Sequence, residues 1–126
     1  MAQATDSDQA ALSILVADDE TAILDALSRF LRRAGHTVQT AETTQSALVL
    51  AAEHRFDVVL ADVNMPGDGR KILAHLKDDP SFSGRLVLMT GGSAADYVEE
   101  LGEGIDYLEK PFTFDVLRKL IGMSVT

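Results

Sequence analysis

The sequence predicts an α/β protein built on a doubly wound sheet of five parallel strands. Two observations lead to this prediction. The chain has 126 residues, and from about residue 12 to residue 121 short apolar runs alternate with stretches whose apolar residues recur at helical spacing. The runs are also apolar on both faces. Runs that are apolar on both faces are typical of parallel strands buried between helices. Strict alternation of strands and helices then gives a three-layer sandwich with helices on both faces.

Each predicted strand is a short run of apolar residues, often β-branched, bounded by polar or turn residues. The second run is less apolar than the others, which is typical of an edge strand. In chain order the five strands cover residues 12–17, 37–41, 57–62, 85–90 and 105–109.

Each predicted helix has apolar residues three or four positions apart. The first ends in Arg32 and Arg33 with Gly35 just beyond, which is a typical helix C-terminus. The fourth has the poorest pattern, because its apolar residues are few and mostly small. In chain order the five helices cover about residues 21–34, 44–54, 70–77, 94–101 and 114–121.

Composition excludes several classes of function. Twenty acidic residues against 11 basic ones give a net charge of −9, which disfavours direct binding to nucleic acid or to anionic membranes. The chain has no cysteine, so disulfides and thiolate chemistry are excluded. No apolar run approaches the roughly 18 residues of a membrane span, and the N-terminus does not resemble a signal peptide.

We expect a cytoplasmic protein with a flexible tail at residues 1–10 and one domain over 11–126.

Polar residues stand at the carboxyl ends of the predicted strands, where sites of open α/β sheets lie. Asp18 and Asp19 follow the first strand, Asp62 ends the third, Thr90 ends the fourth and Lys110 follows the fifth. In the flavodoxin-like strand order 2-1-3-4-5, the first and third strands are neighbours. We therefore expect the three aspartates to converge in one pocket.

Three converging carboxylates repel one another, so they need a positively charged partner. Two unit charges about 4 Å apart repel by about 1 kcal/mol in water and by about 4 kcal/mol at an effective dielectric constant of about 20. An all-oxygen site favours Mg²⁺, with Mn²⁺ as an alternative, and Lys110 adds a further positive charge. Carboxylate, divalent cation, amine and the hydroxyl of Thr90 are the parts needed for phosphoryl transfer to a carboxylate.

These residues together resemble the receiver (CheY-like) domain of bacterial two-component response regulators. Each motif alone has low specificity, but their order and their places at the strand ends make the set highly specific. The resemblance covers about residues 12–122. The motifs are Asp18-Asp19-Glu20, Asp62-Val63-Asn64-Met65-Pro66-Gly67, Thr90, Tyr107 and Lys110-Pro111-Phe112.

The resemblance implies a signalling domain of a phosphorelay rather than an enzyme with an external substrate. Asp62 would accept a phosphoryl group from the phosphohistidine of a histidine kinase or a histidine phosphotransfer protein. Mg²⁺ would be held directly by Asp19, Asp62 and the backbone carbonyl of Asn64, and through water by Asp18. At most, such a domain catalyses its own phosphorylation and slow dephosphorylation.

The resemblance also implies a conformational response. Lys110 would bind the phosphoryl group, Thr90 would move toward it, and Tyr107 would turn inward. The bond between Lys110 and Pro111 would be cis, which X–Pro bonds allow at small cost. The response would reach an unknown downstream protein through the face formed by the fourth helix, the fifth strand and the fifth helix, in a monomer or a phosphorylation-dependent dimer. The segments Thr90-Gly91-Gly92 and Leu108-Glu109-Lys110-Pro111-Phe112 also resemble those of receivers in hybrid histidine kinases, and they suit stand-alone receivers as well.

The sequence departs from the family pattern in two loops. The segment Met65–Gly69 is one residue shorter than usual, and the segment between Thr90 and Lys110 is about two residues shorter. These departures leave the expected phosphorylation chemistry in place, but they predict a fourth helix that is short, mobile or displaced.

Three other functions are compatible with parts of this pattern. A binding module with the same fold could act without phosphorylation, although every chemical residue is retained. A Mg²⁺-dependent phosphatase with an Asp nucleophile resembles the haloacid dehalogenases, which have a second Asp where this chain has Asn64, and this chain has no cap domain. A flavodoxin-like electron carrier is disfavoured, because acidic residues follow the first strand where a flavin phosphate would bind.

Overall fold

The computed structural model describes residues 11–125, and the predicted tail at residues 1–10 lies outside this part of the chain. All five predicted strands are present, and their ends differ from the prediction by at most one residue. They form one parallel sheet in the order β2-β1-β3-β4-β5, so the predicted fold class is confirmed. The strands are β1 (Ser13–Ala17), β2 (Thr37–Ala41), β3 (Val58–Asp62), β4 (Arg85–Thr90) and β5 (Ile105–Glu109).

The five predicted helices are also present. The last one continues past its predicted end at Ile121, because a single glycine such as Gly122 weakens a helix by only about 1 kcal/mol. The helices are α1 (Thr21–Arg33), α2 (Thr44–Glu53), α3 (Arg70–Lys77), α4 (Ala95–Leu101) and α5 (Phe114–Val125). Within the described residues, no helix combines the length and the apolar character that a membrane span requires.

The two faces of the sheet carry separate apolar cores, as a three-layer sandwich requires. Leu15, Val59 and Leu88 face α2, α3 and α4, whereas Val16, Leu60 and Val87 face α1 and α5. Successive strand residues point to opposite faces, so each central strand contributes to both cores. The residues that bury β1 and β3 therefore also fix the positions of their carboxyl ends.

The fourth helix is short, as the sequence predicts. It has seven residues, and only Leu101 among them is buried. Val98 is 48% exposed. Tyr97 is half-buried against the same core. Burial of apolar side chains therefore contributes less to the position of α4 than to that of α1 or α3, each of which buries three apolar residues.

The loop after β3 packs tightly against the end of that strand. Gly69 lies so close to the backbone of Asp62 that a Cβ atom at this position would be 1.8 Å from the Asp62 carbonyl oxygen. Gly67 has φ +91°, and a Cβ there would be 2.8 Å from the Cβ of Thr44. Only glycine fits both positions, so the two glycines determine how the loop leaves Asp62.

We expect the substitution Gly69→Ala to destabilise the protein by more than about 2 kcal/mol, because the methyl group has to displace the backbone of Asp62. Gly91→Ala is the matched control, since a Cβ at Gly91 would meet no atom within 4 Å. The control should change the free energy of unfolding by less than about 0.5 kcal/mol. Urea denaturation measures both. Equal effects of the two substitutions would show that the close approach at Gly69 is not a constraint on the fold.

Candidate functional site

Three aspartates converge at the carboxyl ends of β1 and β3, as predicted. The two strands are adjacent and in register at Ala17 and Ala61, so the residues that follow these positions are neighbours. One carboxylate oxygen from each of Asp18, Asp19 and Asp62 lies within 4.8 Å of the others. The sheet order alone brings these side chains together from positions far apart in the sequence.

The three carboxylates differ in their surroundings. Asp18 is fully buried and Asp62 is 3% exposed, whereas Asp19 is exposed. Asp18 uses both oxygens: Oδ1 accepts a hydrogen bond from the backbone N–H of Glu20 at 2.9 Å, and Oδ2 accepts one from Lys110 Nζ at 2.9 Å. Asp19 has no hydrogen bond or ion pair with the residues that the structure describes. The exposed carboxylate is therefore the one open to a ligand from solvent.

Lys110 lies at the centre of the charge cluster. Its Nζ atom is 2.9 Å from Asp18 Oδ2, 3.1 Å from Asp62 Oδ1 and 3.5 Å from Glu20 Oε1. The contact with Glu20 was not anticipated in the sequence analysis, which gave that residue no separate role. Its place directly after Asp18 and Asp19 was the available signal.

The pocket holds more negative than positive charge, because the carboxylates of Asp18, Asp19, Glu20 and Asp62 surround the single ammonium of Lys110. Burial raises the pKa of Asp62, and repulsion from Asp18 and Asp19 raises it further, against the opposing effect of Lys110. Burial alone would lower the pKa of Lys110, but hydrogen bonds to Asp18 and Asp62 raise it above its usual value. Both shifts favour the protonated form of the group, which is the effect expected from an excess of negative charge.

Thr90 and Tyr107 lie outside the hydrogen-bond network of the carboxylates. Thr90 is buried at the end of β4, where its Oγ1 accepts a hydrogen bond from the backbone N–H of Gly92 at 3.0 Å. The hydroxyl oxygen of Tyr107 is buried and has no hydrogen-bond partner among the described residues. The side chains of Thr90 and Tyr107 thus make no hydrogen bond to the carboxylates in the described part of the chain.

The backbone around the site completes its geometry. The peptide bond between Lys110 and Pro111 is cis, as the resemblance implies. The N–H of Lys110 donates to the carbonyl oxygen of Thr90 at 2.7 Å, which fixes the start of the β5–α5 loop beside β4. Asn64 is exposed in the loop two residues after Asp62, and its expected role as a ligand stays a prediction.

Fold and site together define a receiver-type signalling domain: a 2-1-3-4-5 sheet with an acidic pocket and a lysine at its carboxyl edge. The family model described as "Response regulator receiver domain" matches residues 14–122. The chain therefore belongs to the family of response regulator receiver domains.

Comparison with individual proteins agrees with membership of this family. The chain is 33% identical over 113 residues to the response regulator protein FleR of Pseudomonas aeruginosa, which covers 88% of this chain and 24% of FleR. The chain spans less than half the length of this and other curated relatives that it matches.

Solved structures show the same fold. The chemotaxis response regulator CheY4 of Vibrio cholerae matches with a TM-score of 0.81 and 28% identity, over 91% of this chain and 99% of that one. The response regulator TrrA of Thermotoga maritima, in complex with Mg²⁺ and beryllofluoride, matches with a TM-score of 0.79 and 28% identity, over 90% of this chain and 98% of that one.

We expect Asp62→Asn to raise the melting temperature of the metal-free protein at pH 7. The pKa of Asp62 is higher in the folded than in the unfolded chain, so the ionised carboxylate destabilises the fold at every pH above that pKa, and asparagine removes this cost. Millimolar Mg²⁺ should raise the melting temperature of the wild type more than that of the variant. Differential scanning fluorimetry measures both.

Asp25→Asn is the control, because it makes the same change of charge at an exposed position of α1. It should leave the response to Mg²⁺ unchanged. A melting temperature of Asp62→Asn below that of the wild type, or equal effects of Mg²⁺ on both proteins, would contradict the excess of negative charge in the pocket.

Proposed function

We propose that this receiver domain takes a phosphoryl group from a phosphohistidine onto the carboxylate of Asp62. The observation that carries the proposal is the setting of Asp62: a buried carboxylate beside two others, with Lys110 Nζ 3.1 Å away. Response regulators interact with histidine kinases or phosphotransfer proteins, and such a protein is the donor we propose.

The reaction forms one bond and breaks one. A carboxylate oxygen of Asp62 attacks the phosphorus atom, the P–N bond of the phosphohistidine breaks, and the released imidazole takes a proton from solvent. The product is an acyl phosphate on Asp62. Lys110 is placed to pair with the transferred phosphoryl oxygens, since its ammonium already contacts the accepting carboxylate. Such pairing stabilises charge on the transferred group.

The donor set of the pocket fits Mg²⁺, and Mn²⁺ would be accepted by the same oxygens. We assign direct binding to Asp19, Asp62 and the carbonyl oxygen of Asn64. Asp18 would act through water, which agrees with the engagement of both its oxygens by Glu20 N–H and Lys110. When bound, Mg²⁺ neutralises the carboxylates and the charge of the incoming phosphoryl group.

Thr90 and Tyr107 are the proposed switch residues. If Thr90 turned toward a phosphoryl group, its Oγ1 would give up the hydrogen bond from Gly92. The buried hydroxyl of Tyr107 has no partner in the described chain, and an unsatisfied buried hydroxyl costs about 1–3 kcal/mol. A small rearrangement that supplied a partner would therefore be favourable for Tyr107.

The proposed output is contact with a downstream protein, in a monomer or a phosphorylation-dependent dimer within a cytoplasmic pathway. Tyr107, Phe112 and Val116 line a groove of about 450 Å³ beside β5 and α5. This groove lies on the face next to the switch residues, where a change at Thr90 and Tyr107 would alter the surface that a partner meets.

We expect incubation with Mg²⁺ and acetyl phosphate to add the mass of one phosphoryl group to the wild-type protein. The adduct should be lost on treatment with hydroxylamine, as acyl phosphates are, and it should be absent in Asp62→Ala. Intact-protein mass spectrometry measures this, with Asp25→Ala as a control that should be labelled normally.

Labelling of Asp62→Ala would place the acceptor at another residue. If Mg²⁺ stabilises the wild type but neither acetyl phosphate nor a cognate phosphohistidine donor labels it, the domain is a binding module that acts without phosphorylation.

A further inference from the structure

Helix α4 is held in place mainly by polar contacts. Lys77 Nζ donates to the carbonyl oxygen of Leu101 at 2.6 Å, at the C-terminal end of the helix. At the other end, Glu109 Oε2 accepts a hydrogen bond from the N–H of Ala94 at 2.6 Å. Between them, Arg70 Nη1 donates to Glu100 Oε1 at 2.8 Å. Leu101 is the one buried residue of the helix and Tyr97 is half-buried against the core, so contacts of this kind contribute much of what positions α4.

Arg70 differs from Lys77 and Glu109, because it also binds the loop that follows Asp62. Its Nε donates to Asp68 Oδ1 at 3.0 Å, and its Nη2 is 2.6 Å from Asp68 Oδ2. A third bond runs from the backbone N–H of Arg70 to Asp68 Oδ1 at 3.0 Å. The hydrogen bonds from Arg70 lower the pKa of Asp68 and keep it ionised. One planar guanidinium thus binds a carboxylate on each of two sides, which lysine cannot do in the same way.

The same guanidinium lies over α4. The Cζ atom of Arg70 is 5.7 Å from the centre of the Tyr97 ring, within the range of a cation–π contact. Tyr97 and Glu100 are three residues apart and lie on one side of the helix. Arg70 therefore contacts α4 through both a charged and an aromatic side chain.

The contact path from Asp62 to Arg70 is short. Gly69 packs directly against the carbonyl oxygen of Asp62. Asp68, on one side of Gly69, has a positive φ of 70°, a conformation in which the loop is closely constrained. Arg70, on the other side, is the first residue of α3. A shift of the backbone at Asp62 would move both partners of the Arg70–Asp68 contact.

We propose that Arg70 is a positioning residue that couples the loop after Asp62 to helix α4, by holding Asp68 and Glu100 with a single guanidinium. The coupling deepens the proposed function and depends on it, since the change at Asp62 is phosphorylation. Without the ion pair between Arg70 and Glu100, α4 would keep the contacts at its two ends and its small buried apolar surface. The helix would then unfold locally more readily.

The first test uses hydrogen exchange of the full chain in the absence of any phosphodonor. Glu100→Gln should raise the exchange rate of the α4 amides by roughly two- to five-fold, the effect of losing one partly exposed ion pair. Arg70→Met, which also removes the contact with Tyr97, should raise it at least as much. Glu99→Gln is the matched control: it makes the same change of charge one residue away, and Glu99 has no ion pair among the described residues. Equal exchange in Glu99→Gln and Glu100→Gln would overturn the proposal.

The second test adds Mg²⁺ and beryllofluoride to wild type and to Arg70→Met. In the wild type, exchange should change both at the loop over residues 63–69 and at α4. Arg70→Met also frees Asp68 within the loop, so the size of the loop response can differ from the wild type, but the loop should still respond while the response of α4 is lost. A full response of α4 in Arg70→Met would overturn the coupling.

The two tests separate this proposal from the proposed function. If beryllofluoride changes exchange nowhere in the wild type, the phosphorylation chemistry fails and the coupling is overturned with it. If the loop responds in the wild type but α4 does not, the chemistry at Asp62 stands and only the coupling is overturned.

Discussion

The contact of Lys110 with the carboxylates of Asp18 and Asp62 is the interaction on which the rest of the site depends. Buried carboxylates within 4.8 Å of one another repel, and one ammonium at 2.9 and 3.1 Å offsets only part of that repulsion. The remaining negative charge raises the pKa of Asp62. It also makes the pocket suitable for a divalent cation. The same charge that opposes ionisation of Asp62 therefore favours binding of a cation.

The fold makes this cluster possible by burying the strands that carry it. Both faces of β1 and β3 are covered by apolar cores, so the two strands hold their carboxyl ends adjacent despite the repulsion between the residues that follow. The glycines of the β3–α3 loop then let the chain turn away directly from Asp62. Farther from the site, packing becomes weaker, and α4 depends on Arg70, Lys77 and Glu109 rather than on a buried face. A closely packed site next to a helix with few buried residues is compatible with the proposed switch, because elements that move tend to be those with few buried contacts.

The sequence predicted the sheet and the acidic pocket because both follow from local patterns and general rules of topology. Buried parallel strands are short apolar runs, and the strand order brings Asp18, Asp19 and Asp62 together whatever the detailed packing. Contacts between side chains of separate elements could not be predicted in this way. The bonds from Arg70 to Asp68 and Glu100 depend on the rotamer of a long side chain and on the position of α4. The approach of Glu20 to Lys110, and the continuation of α5 past Ile121, likewise depend on details that residue patterns do not contain.

The most direct test of the central claim is the pKa of Asp62 itself, measured by NMR titration of its ¹³C-labelled carboxyl group in the metal-free protein, with Asp62→Asn used to assign the signal. We expect Asp62 to titrate above the usual aspartate value, because burial and the neighbouring carboxylates oppose its ionisation. Saturating Mg²⁺ should bring the pKa below that value, since the cation favours the ionised form. A pKa at or below the usual value without metal, or a pKa unaffected by Mg²⁺, would contradict the account of an electrostatically unbalanced pocket completed by a cation.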